Sequence, residues 1–432
     1  MGVYTDLLMP AANFLRDVEM VGLIYDVDAA ADMYENEVRP ELDQLKKDMR
    51  DISGIFILNP ASPTQMAHLY YDAWGIDHEM RHRPPTAKRD FLRSTDDSAR
   101  RVILEGDYTS KADRQTVEGS KEGYRDRIEA FVRKHERYAK LSKINSTYIV
   151  GMLPHALESE DHRVFTNLNL HTTETGRLSS TEPNLQNISR PRPGLPDIRQ
   201  LFRAPDGRQI VSADYSQAEL RVIAHLSQDN QLLRIYRDGL DLHSEVATMF
   251  FGKDFTSEQR SRCKNMNFGV AYRQSAKSFK EKHDIPKAEA QKFIDWWWGR
   301  FSGVTRWEKS IEQLVHSGEL NSPFGRKRRF YLITDQNKEA LYREGINFYP
   351  QSTASDITLV AGVQIHQRIN RDRARINLLV HDNIMAEVDD SYVDEYEGIC
   401  REVMESIPKI KLDWDIPFVA DVAHGSTWGG AK

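Results

Sequence analysis

The chain has 432 residues, of which 40% are hydrophobic and 29% charged, and its formal net charge is −6 at pH 7. This length predicts about two to four subdomains rather than one simple core. A membrane protein and a disulfide-stabilised secreted protein are excluded, because no apolar run approaches the ~18 residues of a membrane span, no secretory signal is visible, and Cys263 and Cys400 are the only cysteines. The composition is that of a soluble protein of a reducing cytoplasm.

The first third of the chain predicts a helical arm rather than a catalytic core. Residues 29–50 and 121–146 have the spacing of long charged helices. The polar stretch between them, 51–120, carries the turn signals NPASPTQ and RPPT. Asp17 and Glu19 match the D-x-E pattern of a 3′-to-5′ exonuclease. Such a domain needs well over ~100 residues, and the helical arm begins almost at Met1, which leaves no room for it. We therefore expect no exonuclease here.

Three basic clusters interrupt the acidic chain: RHRPPTAKR (81–89), SRPRPG (189–194) and GRKRRF (325–330). The first is interpreted as a solvated loop. Because charge is segregated along the chain, a local basic track could bind a phosphate backbone although the net charge is negative.

The middle of the chain begins with an apolar strand. RQIVSADYSQ (208–217) predicts a buried strand, and the AELRVIAHLS that follows has helical apolar spacing. An Asp that ends a hydrophobic strand, as Asp214 does, is held rigidly at a sheet edge, where a functional group belongs. Residues 231–345 are predicted to be mostly helical, and the run Trp296–Trp298 is interpreted as part of their core.

Within that helical region, Arg260, Lys264, Phe268 and Tyr272 recur at a spacing of four. A step of four on an α-helix drifts by only about 40°, so the four side chains share one stripe. Two cations followed by a phenyl ring and a phenol suit a polyphosphate and then a sugar or base. For one such residue alone, an ordinary amphipathic helix would be the better interpretation. The order of all four, with Asn267 beside Phe268, favours a site for a nucleoside triphosphate.

Near the C-terminus, RINLLVH-DN-IMAEVD predicts a β-hairpin with Asp382 and Asn383 at its two-residue tip. If its strands lie beside the strand that carries Asp214, the two aspartates converge. Two carboxylates are hard ligands that would hold Mg²⁺, with substrate phosphates completing the coordination shell. Either Asp alone would be interpreted as a turn or helix cap. Together with the cationic stripe, they predict metal ions that activate an attacking hydroxyl and stabilise a leaving pyrophosphate.

Six segments resemble the polymerase domain of the family A DNA polymerases, the group of DNA polymerase I and the phage replicases. They occur in the family's order: TGRLSSTEPNLQNI (175–188), DYSQAELRVIAHLS (214–227), DLHSEVA (241–247), RSRCKNMNFGVAY (260–272), REGINFYPQSTASD (343–356) and LVHDN (379–383). The resemblance implies an α+β, right-hand polymerase fold with an antiparallel-sheet palm, helical fingers and a helical thumb. It also implies template-directed addition of deoxynucleotides to a primer 3′ end, in a bacterial cytoplasm or in that of a phage host.

The resemblance further implies subdomains, cofactors and partners. The thumb, with the N-terminal entry into the palm, would span 1–145, the first part of the palm 146–230, the fingers 231–346 and the rest of the palm 347–432. The cofactor would be two Mg²⁺ ions, replaceable by Mn²⁺. The partners would be primer–template DNA and dNTPs but no membrane, and accessory replication proteins cannot be read from the sequence.

The catalytic roles follow from the matched positions. Asp214, Asp382 and the backbone carbonyl of Tyr215 resemble the metal ligands of the family. Arg260 and Lys264 resemble the cations that grip the triphosphate, and Lys264 would donate a proton to the leaving pyrophosphate.

Five further positions resemble residues that surround the incoming nucleotide. Phe268 would lie against the sugar, and Tyr272 would guard the template slot. His243 resembles a histidine that contacts the β-phosphate, and Gln217 falls in the same nucleotide-binding group. Glu219 resembles the steric gate under the C2′ position of the sugar.

Another set resembles residues that touch the primer end and the minor groove of the new base pair: Arg177, Asn184, Gln186, Arg343, Asn347, Gln351 and His381. Minor-groove N3 and O2 acceptors occur in every base pair, so such contacts test fit without reading sequence.

Two departures from the family pattern bear on rate and fidelity, but not on the reaction class. The family usually has Glu where this chain has Asn383, and Gly where it has Arg273. A single-subunit RNA polymerase is one alternative, but a carboxylate at Glu219 and a bare ring at Phe268 would crowd a 2′-hydroxyl. A non-catalytic protein that binds primer and template is another, which Asn383 keeps open.

Overall fold

The computed structural model describes residues 2–78, 93–114, 121–283 and 285–431. The basic cluster at 81–89 lies outside the described residues. The chain forms two compact units. The larger unit comprises Met1–Tyr25, His155–Ser189 and Arg199–Lys432, and the smaller unit comprises Asp26–Pro154 and Arg190–Ile198. The subdomain boundaries expected after residues 145, 230 and 346 stay a prediction.

Most of the described chain is helical. In chain order the helices are α1 (Met9–Glu19), α2 (Val27–Met33), α3 (Arg39–Ser53), α4 (Pro63–Ala67), α5 (Asp97–Leu104), α6 (Lys111–Arg114), α7 (Lys121–Ile144), α8 (Leu153–Leu157), α9 (Ala218–Ser227), α10 (Asn230–Arg237), α11 (Leu242–Phe251), α12 (Ser257–Ala271), α13 (Ala276–His283), α14 (Lys287–Arg300), α15 (Ser302–His316), α16 (Lys338–Arg368) and α17 (Val393–Leu412). No helix in these described ranges is both long and apolar enough to cross a membrane.

The strands are short outside one central sheet. In chain order they are β1 (Leu23–Tyr25), β2 (Arg163–Val164), β3 (Asn167–Asn169), β4 (Ser179–Thr181), β5 (Phe202–Arg203), β6 (Arg208–Tyr215), β7 (Glu319–Asn321), β8 (Lys327–Arg329), β9 (Ala374–Val380), β10 (Asn383–Asp389) and β11 (Ala420–Gly425). The central sheet has the order β11-β6-β10-β9, and all its pairs are antiparallel. Helices and an antiparallel sheet in one chain confirm the predicted α+β class.

The smaller unit contains α2 to α7. The helices predicted at 29–50 and 121–146 are confirmed. The first segment comprises α2, a π-helical turn at Tyr34–Val38 and α3, and the second comprises α7 and the start of a π-helical turn at Asn145–Ile149. Inside this unit the Tyr70 hydroxyl and His135 Nδ1 lie 2.6 Å apart in the core. At its surface Arg137 and Glu41 form a two-pronged ion pair, with bonds of 2.6 and 2.8 Å, which ties α7 to α3.

The central sheet is buried because helices cover it. Helix α17 packs against β6, β10 and β11, while α16 contacts β10 and α1 contacts β9. On β6, alternate residues Val211, Ala213 and Tyr215 are buried, and the Tyr215 hydroxyl donates to the Met404 carbonyl of α17 at 2.7 Å. The partly buried side chains of Ser212 and Asp214 alternate with these and belong to the other face.

The hairpin near the C-terminus is confirmed, but its predicted tip is wrong by one residue. Asn383 pairs with Val380, so the two-residue turn consists of His381 and Asp382, and Asn383 is the first residue of β10. His381 has a φ of 55°, in the left-handed region where a non-Gly residue is uncommon. Residues 231–345 are mostly helical as predicted, but they also contain the small hairpin of β7 and β8.

Candidate active site

Two aspartates that are distant in sequence lie together at one end of the central sheet. Asp214 is the penultimate residue of β6, and Asp382 immediately precedes β10, the strand beside it. The backbone amide of Tyr215 donates to the carbonyl of Asp382 at 3.2 Å. The sheet order therefore brings the two predicted metal ligands to one place, as the hairpin argument required.

Asn383 lies directly opposite Asp214 in the β6–β10 register. Residues opposite each other in an antiparallel pair project to the same face, so their side chains are neighbours. The Nδ2 of Asn383 donates to the Ser212 hydroxyl at 2.7 Å, while its Oδ1 is buried with no hydrogen-bond partner among the described residues. On the other side of β6, the register places Asp421 opposite Asp214. Ser212 and Asp421 are not singled out by the sequence, because neither belongs to a matched motif. Only the alternation of side chains along a strand could have placed them on this face.

The predicted stripe lies on one helix. Helix α12 begins at a capping box built on Thr256, which satisfies amides of its first turn. Arg260, Lys264 and Phe268 follow inside the helix, and Tyr272 is its C-cap residue. The helical spacing derived from the sequence is therefore confirmed.

A cleft of about 590 Å³ runs along this stripe, within the range of ~300–1,000 Å³ that is usual for small-molecule sites. Lys264, Phe268 and Tyr272 line it from α12, and Arg343 lines it from α16. Gly269 also lines the cleft, and a Cβ there would lie 2.4 Å from the Phe279 ring. The glycine therefore allows α13 to pack directly against α12.

Arg260 points to the start of α11. Its Nη2 donates to Asp241 Oδ1 and its Nε to the Ser244 hydroxyl, both at 2.9 Å, and Gln217 donates to the other Asp241 oxygen at 3.1 Å. Burial acts to raise the pKa of Asp241, but hydrogen bonds from Ser244 and the charge of Arg260 outweigh it and hold the pKa below its usual value. Asp241 therefore stays anionic and positions two predicted nucleotide-binding side chains.

His243 is buried beside the stripe, with its ring centroid 5.7 Å from that of Phe268. Burial is the main cause that lowers the pKa of His243 to about 4; Asp241 opposes this effect, and the positive charges of Lys264 and Arg260 add to it. At neutral pH the imidazole is uncharged.

Glu219 connects the stripe to the sheet. It is 7% exposed at the start of α9, where Arg177 forms an ion pair with one carboxylate oxygen and the Tyr272 hydroxyl donates to the other. Burial, and after it the negative charge of Asp382, raise the pKa of Glu219 to about 8. The ion pair with Arg177 favours the charged form and opposes both effects. Glu219 thus bonds both Arg177 and the stripe on α12, and it lies within electrostatic range of Asp382.

The side chains predicted to contact primer and template fall into two groups. Arg343, Asn347 and Gln351 recur at a spacing of four on α16 and share one face of it. Arg343 is exposed there, and His381 is exposed in the turn between β9 and β10.

The second group makes local bonds. The Asn184 side chain accepts from the Asn187 amide at 3.2 Å, and the buried Gln186 donates to the Leu379 carbonyl of β9 at 2.9 Å. In this structure both side chains shape the backbone beside β9.

The basic cluster at 325–330 is neutralised by nearby acids. Its ion pairs join Arg326 to Asp356, Lys327 and Arg329 to Glu319, and Arg328 to both Glu174 and Glu344. In the structure this cluster therefore does not form an open basic track.

The model of DNA polymerase family A matches residues 28–430 of this chain. The chain belongs to DNA polymerase family A. It is 32% identical over 438 residues to the thermostable DNA polymerase I of Thermus aquaticus and 30% identical over 448 residues to DNA polymerase I of Bacillus subtilis (strain 168). These alignments cover 100% of this chain but 48% and 46% of the relatives, so the chain spans about half the length of the curated relatives it matches.

Among solved structures, the chain resembles the POL domain of Pol1 from M. smegmatis, solved in complex with DNA primer-template and dNTP. The TM-score is 0.83 at 28% identity, covering 99% of this chain and 71% of that one. The right-hand polymerase fold predicted from the motifs is confirmed.

Arg273, which stands where the resemblance implies Gly, has a backbone conformation that would suit Gly. Its φ is 53°, and it is the residue after the C-cap of α12. The Arg273 amide donates to Val270 O at 2.9 Å and the Gln274 amide to Gly269 O at 2.8 Å, which is the bond pattern of a Schellman motif. For a residue with a Cβ, this left-handed conformation costs about 1–2 kcal/mol relative to the right-handed helical conformation.

The Arg273 side chain provides a compensating contact. Its Nε donates to Glu308 Oε2 at 2.8 Å and its Nη2 to Glu312 Oε1 at 2.5 Å, which ties the end of α12 to α15. Burial raises the pKa of Glu308, which is 2% exposed, to about 7, although Arg273 opposes the rise. No sequence motif pointed to Glu308 or Glu312, because the partners of an unusual Arg come from another helix.

The raised pKa of Glu308 predicts a pH-dependent contribution to stability. Since its folded-state pKa is about 7 and its ordinary value 4.5, this contribution is fully present below about pH 4.5 and is lost as the pH rises through about 7. Glu308→Gln cannot titrate, so its melting temperature should fall less between about pH 5 and about pH 7.5 than that of the wild type. Thermal unfolding at both pH values measures this, with the exposed Glu281→Gln as the control for loss of one carboxylate. Equal falls in all three proteins would show that Glu308 does not titrate in this range.

Proposed function

We propose that this chain performs template-directed DNA synthesis, adding deoxynucleotides to a primer 3′ end by nucleotidyl transfer. The observation that carries the proposal is the position of Asp214 and Asp382 at one end of the central sheet, linked through Glu219 to the stripe on α12. The related M. smegmatis domain was solved with DNA primer-template and dNTP, which supports the same ligands here.

The metal requirement of family A fits the donors present. Carboxylate oxygens of Asp214 and Asp382 and the carbonyl of Tyr215 are hard ligands suited to Mg²⁺ or Mn²⁺. In the described part of the chain, Asp, Glu, His and Cys side chains form no group of three that could hold an ion alone, so substrate or water oxygens would complete each shell. Two Mg²⁺ ions bound here would supply activation of the primer hydroxyl and stabilisation of the leaving pyrophosphate.

The chain's own side chains would handle the triphosphate. Lys264 is exposed on the cleft, where its ammonium can contact phosphate oxygens and give a proton to the departing pyrophosphate. Arg260 would exchange part of its contact with Asp241 for a phosphate oxygen, since a guanidinium binds phosphate in the same forked geometry as carboxylate.

The sugar and the base would be selected by shape. Phe268 offers a bare ring to the sugar, and Tyr272 lies at the end of α12, where it would close the template slot. The carboxylate of Glu219, held between Arg177 and Tyr272, would fill the space that a 2′-hydroxyl needs.

The remaining assignments belong to the same proposal. Arg177, Arg343, Asn347, Gln351 and His381 would contact the primer end and the minor groove. Asn184 and Gln186 would act there through the backbone that they shape. We place the thumb in 1–145, the palm in 146–230 and 347–432, and the fingers in 231–346, in a protein of a reducing cytoplasm whose two cysteines are free and buried.

The metal assignment predicts the effect of two isosteric changes. Asp214→Asn or Asp382→Asn should each abolish primer extension while leaving primer–template affinity nearly unchanged, because phosphate contacts supply most of that affinity. Primer extension with dNTPs, with and without Mg²⁺, measures the first effect, and a binding titration measures the second. Asp254→Asn, an exposed carboxylate in the turn before α12, is the matched control. Extension by either active-site variant above about one per cent of wild type would defeat the two-metal assignment.

We predict that sugar selection depends on the volume of the side chain at position 219 rather than on its charge. Glu219→Ala should raise ribonucleotide incorporation by orders of magnitude, because it empties the space under the C2′ position. Glu219→Gln keeps the volume and can still bond to Tyr272, so it should reject ribonucleotides almost as well as the wild type. Competition between dNTPs and rNTPs gives both ratios. If all three proteins discriminate equally, the gate lies at another residue.

We predict that a negative charge at position 383 lowers the Mg²⁺ concentration that primer extension requires. Asn383 faces Asp214 across the sheet, so Asn383→Glu adds an anion beside the proposed metal ligands. The Mg²⁺ concentration for half-maximal extension should fall, about 10-fold or more if the position acts as strongly as other residues behind metal ligands. Asn383→Gln, which is longer but uncharged, is the control. Superimposable Mg²⁺ titrations for the Glu variant and the wild type would show that the charge at this position is immaterial.

A further inference from the structure

A chain of buried hydrogen bonds links three helices behind the nucleotide stripe. Trp297 of α14 donates from Nε1 to Asn267 Oδ1 of α12 at 3.1 Å, and Asn267 Nδ2 lies 3.1 Å from His243 Nδ1 of α11. Their exposures are 1%, 0% and 3%, so these polar atoms have little access to water. Buried polar atoms of this kind are almost always paired for a structural or functional reason.

The order of donors in this chain is fixed by the indole. A tryptophan side chain can only donate, so the amide oxygen of Asn267 must face Trp297 and its NH₂ group must face His243. The NH₂ group donates, so His243 Nδ1 must accept. A neutral imidazole that accepts at Nδ1 carries its proton on Nε2.

The other ring nitrogen of His243 is a buried donor without an acceptor. Nε2 has no hydrogen-bond partner among the described residues. Its ring packs against Phe268, and three charges act on it: the anion Asp241 most strongly, then the cations Lys264 and Arg260. An N–H in this setting needs an acceptor. Asp241 already accepts hydrogen bonds from other side chains, those of Arg260, Ser244 and Gln217. The two cations favour an acceptor that is anionic.

We propose that Trp297 and Asn267 are positioning residues that hold His243 as the Nε2–H tautomer, so that it donates to a phosphate oxygen of the incoming nucleotide. This inference rests on the proposed function, because it requires that the cleft accept a nucleoside triphosphate. The opposite tautomer would present a lone pair to the phosphate oxygen and repel it. Trp297 thereby acts on nucleotide binding through two other side chains, without contacting the nucleotide.

The run of three tryptophans provides both the test and its control. Trp297→Phe removes the indole N–H but keeps an aromatic ring, so the Asn267 amide is free to turn and present its oxygen to His243. The KM for dNTP should rise roughly 10-fold, because this is the usual contribution of a hydrogen bond to a charged group. The change in kcat should be smaller, and the affinity for primer–template should not change. Trp296→Phe, at a position whose ring packs against Phe250 and Phe293, should leave all three unchanged.

A second measurement reports the tautomer directly and does not depend on catalysis. With ¹⁵N-labelled histidine, and the His243 signals assigned by comparison with His243→Gln, the wild type should show a protonated Nε2 and an unprotonated Nδ1. Trp297→Phe should shift the proton toward Nδ1, and Trp296→Phe should not.

The outcomes separate this inference from the proposed function. A wild type with the proton on Nδ1 overturns the inference even if neither tryptophan variant folds. It is equally overturned if Trp297→Phe keeps the wild-type tautomer and KM while losing only thermal stability, since Trp297 would then be part of the core alone. A wild type that extends no primer, whatever its tautomer, contradicts the proposed function instead.

Discussion

The antiparallel register of β6 against β10 determines what this site can do. It places Asp214 opposite Asn383 and beside Asp382, so that residues from two distant segments meet at one sheet end. A slip of one residue would turn Asp214 toward α17, the side on which Tyr215 bonds to Met404, and would remove it from the face that it shares with Asn383. The buried residues of both strands resist such a slip, because it would expose their apolar side chains.

Two buried carboxylates then hold the end of α12 from different directions. Glu219 binds the Tyr272 side chain and Arg177, and Glu308 binds the next residue, Arg273. Both glutamate side chains are almost fully buried, so breaking either contact would leave a buried polar group without a partner, which costs more than breaking a surface ion pair. The stripe on α12 is therefore held in a defined orientation, and Arg273 ties the end of that helix to α15.

Sequence reasoning succeeded where the signal was local or periodic. The strand at 208–217, the helix after it and the stripe on α12 follow from spacing alone. The convergence of Asp214 and Asp382 follows from a strand that ends in an acid and a hairpin that lies beside it, while their role as metal ligands stays a prediction. It failed where geometry depends on a turn or on partners elsewhere in the chain. His381 adopts a left-handed φ and moves the hairpin tip by one residue, which the dipeptide Asp-Asn did not indicate.

The partners of the ion pairs also could not be predicted from the sequence. From the sequence, the cluster at 325–330 could be a basic track that binds a phosphate backbone, but in the structure it is paired with Glu174, Glu319, Glu344 and Asp356. Arg260 reads as a cation presented to phosphate, but Asp241 holds it. The buried chain of Trp297, Asn267 and His243 joins three helices and has no sequence signature, although His243 and Asn267 each lie inside one of the six matched segments.

The central claim is that Asp214 and Asp382 hold the ions that serve nucleotide transfer, and iron-directed cleavage of the backbone tests it most directly. Fe²⁺ would replace Mg²⁺ in a complex with a chain-terminated primer–template and the next dNTP, and peroxide with ascorbate would then generate radicals that cut the nearest backbone. The account predicts cuts beside Asp214 and beside Asp382, both suppressed by excess Mg²⁺ and both lost when the two aspartates are replaced by Asn. Cuts confined to other segments, or cuts at these two places that survive the double replacement, would contradict it.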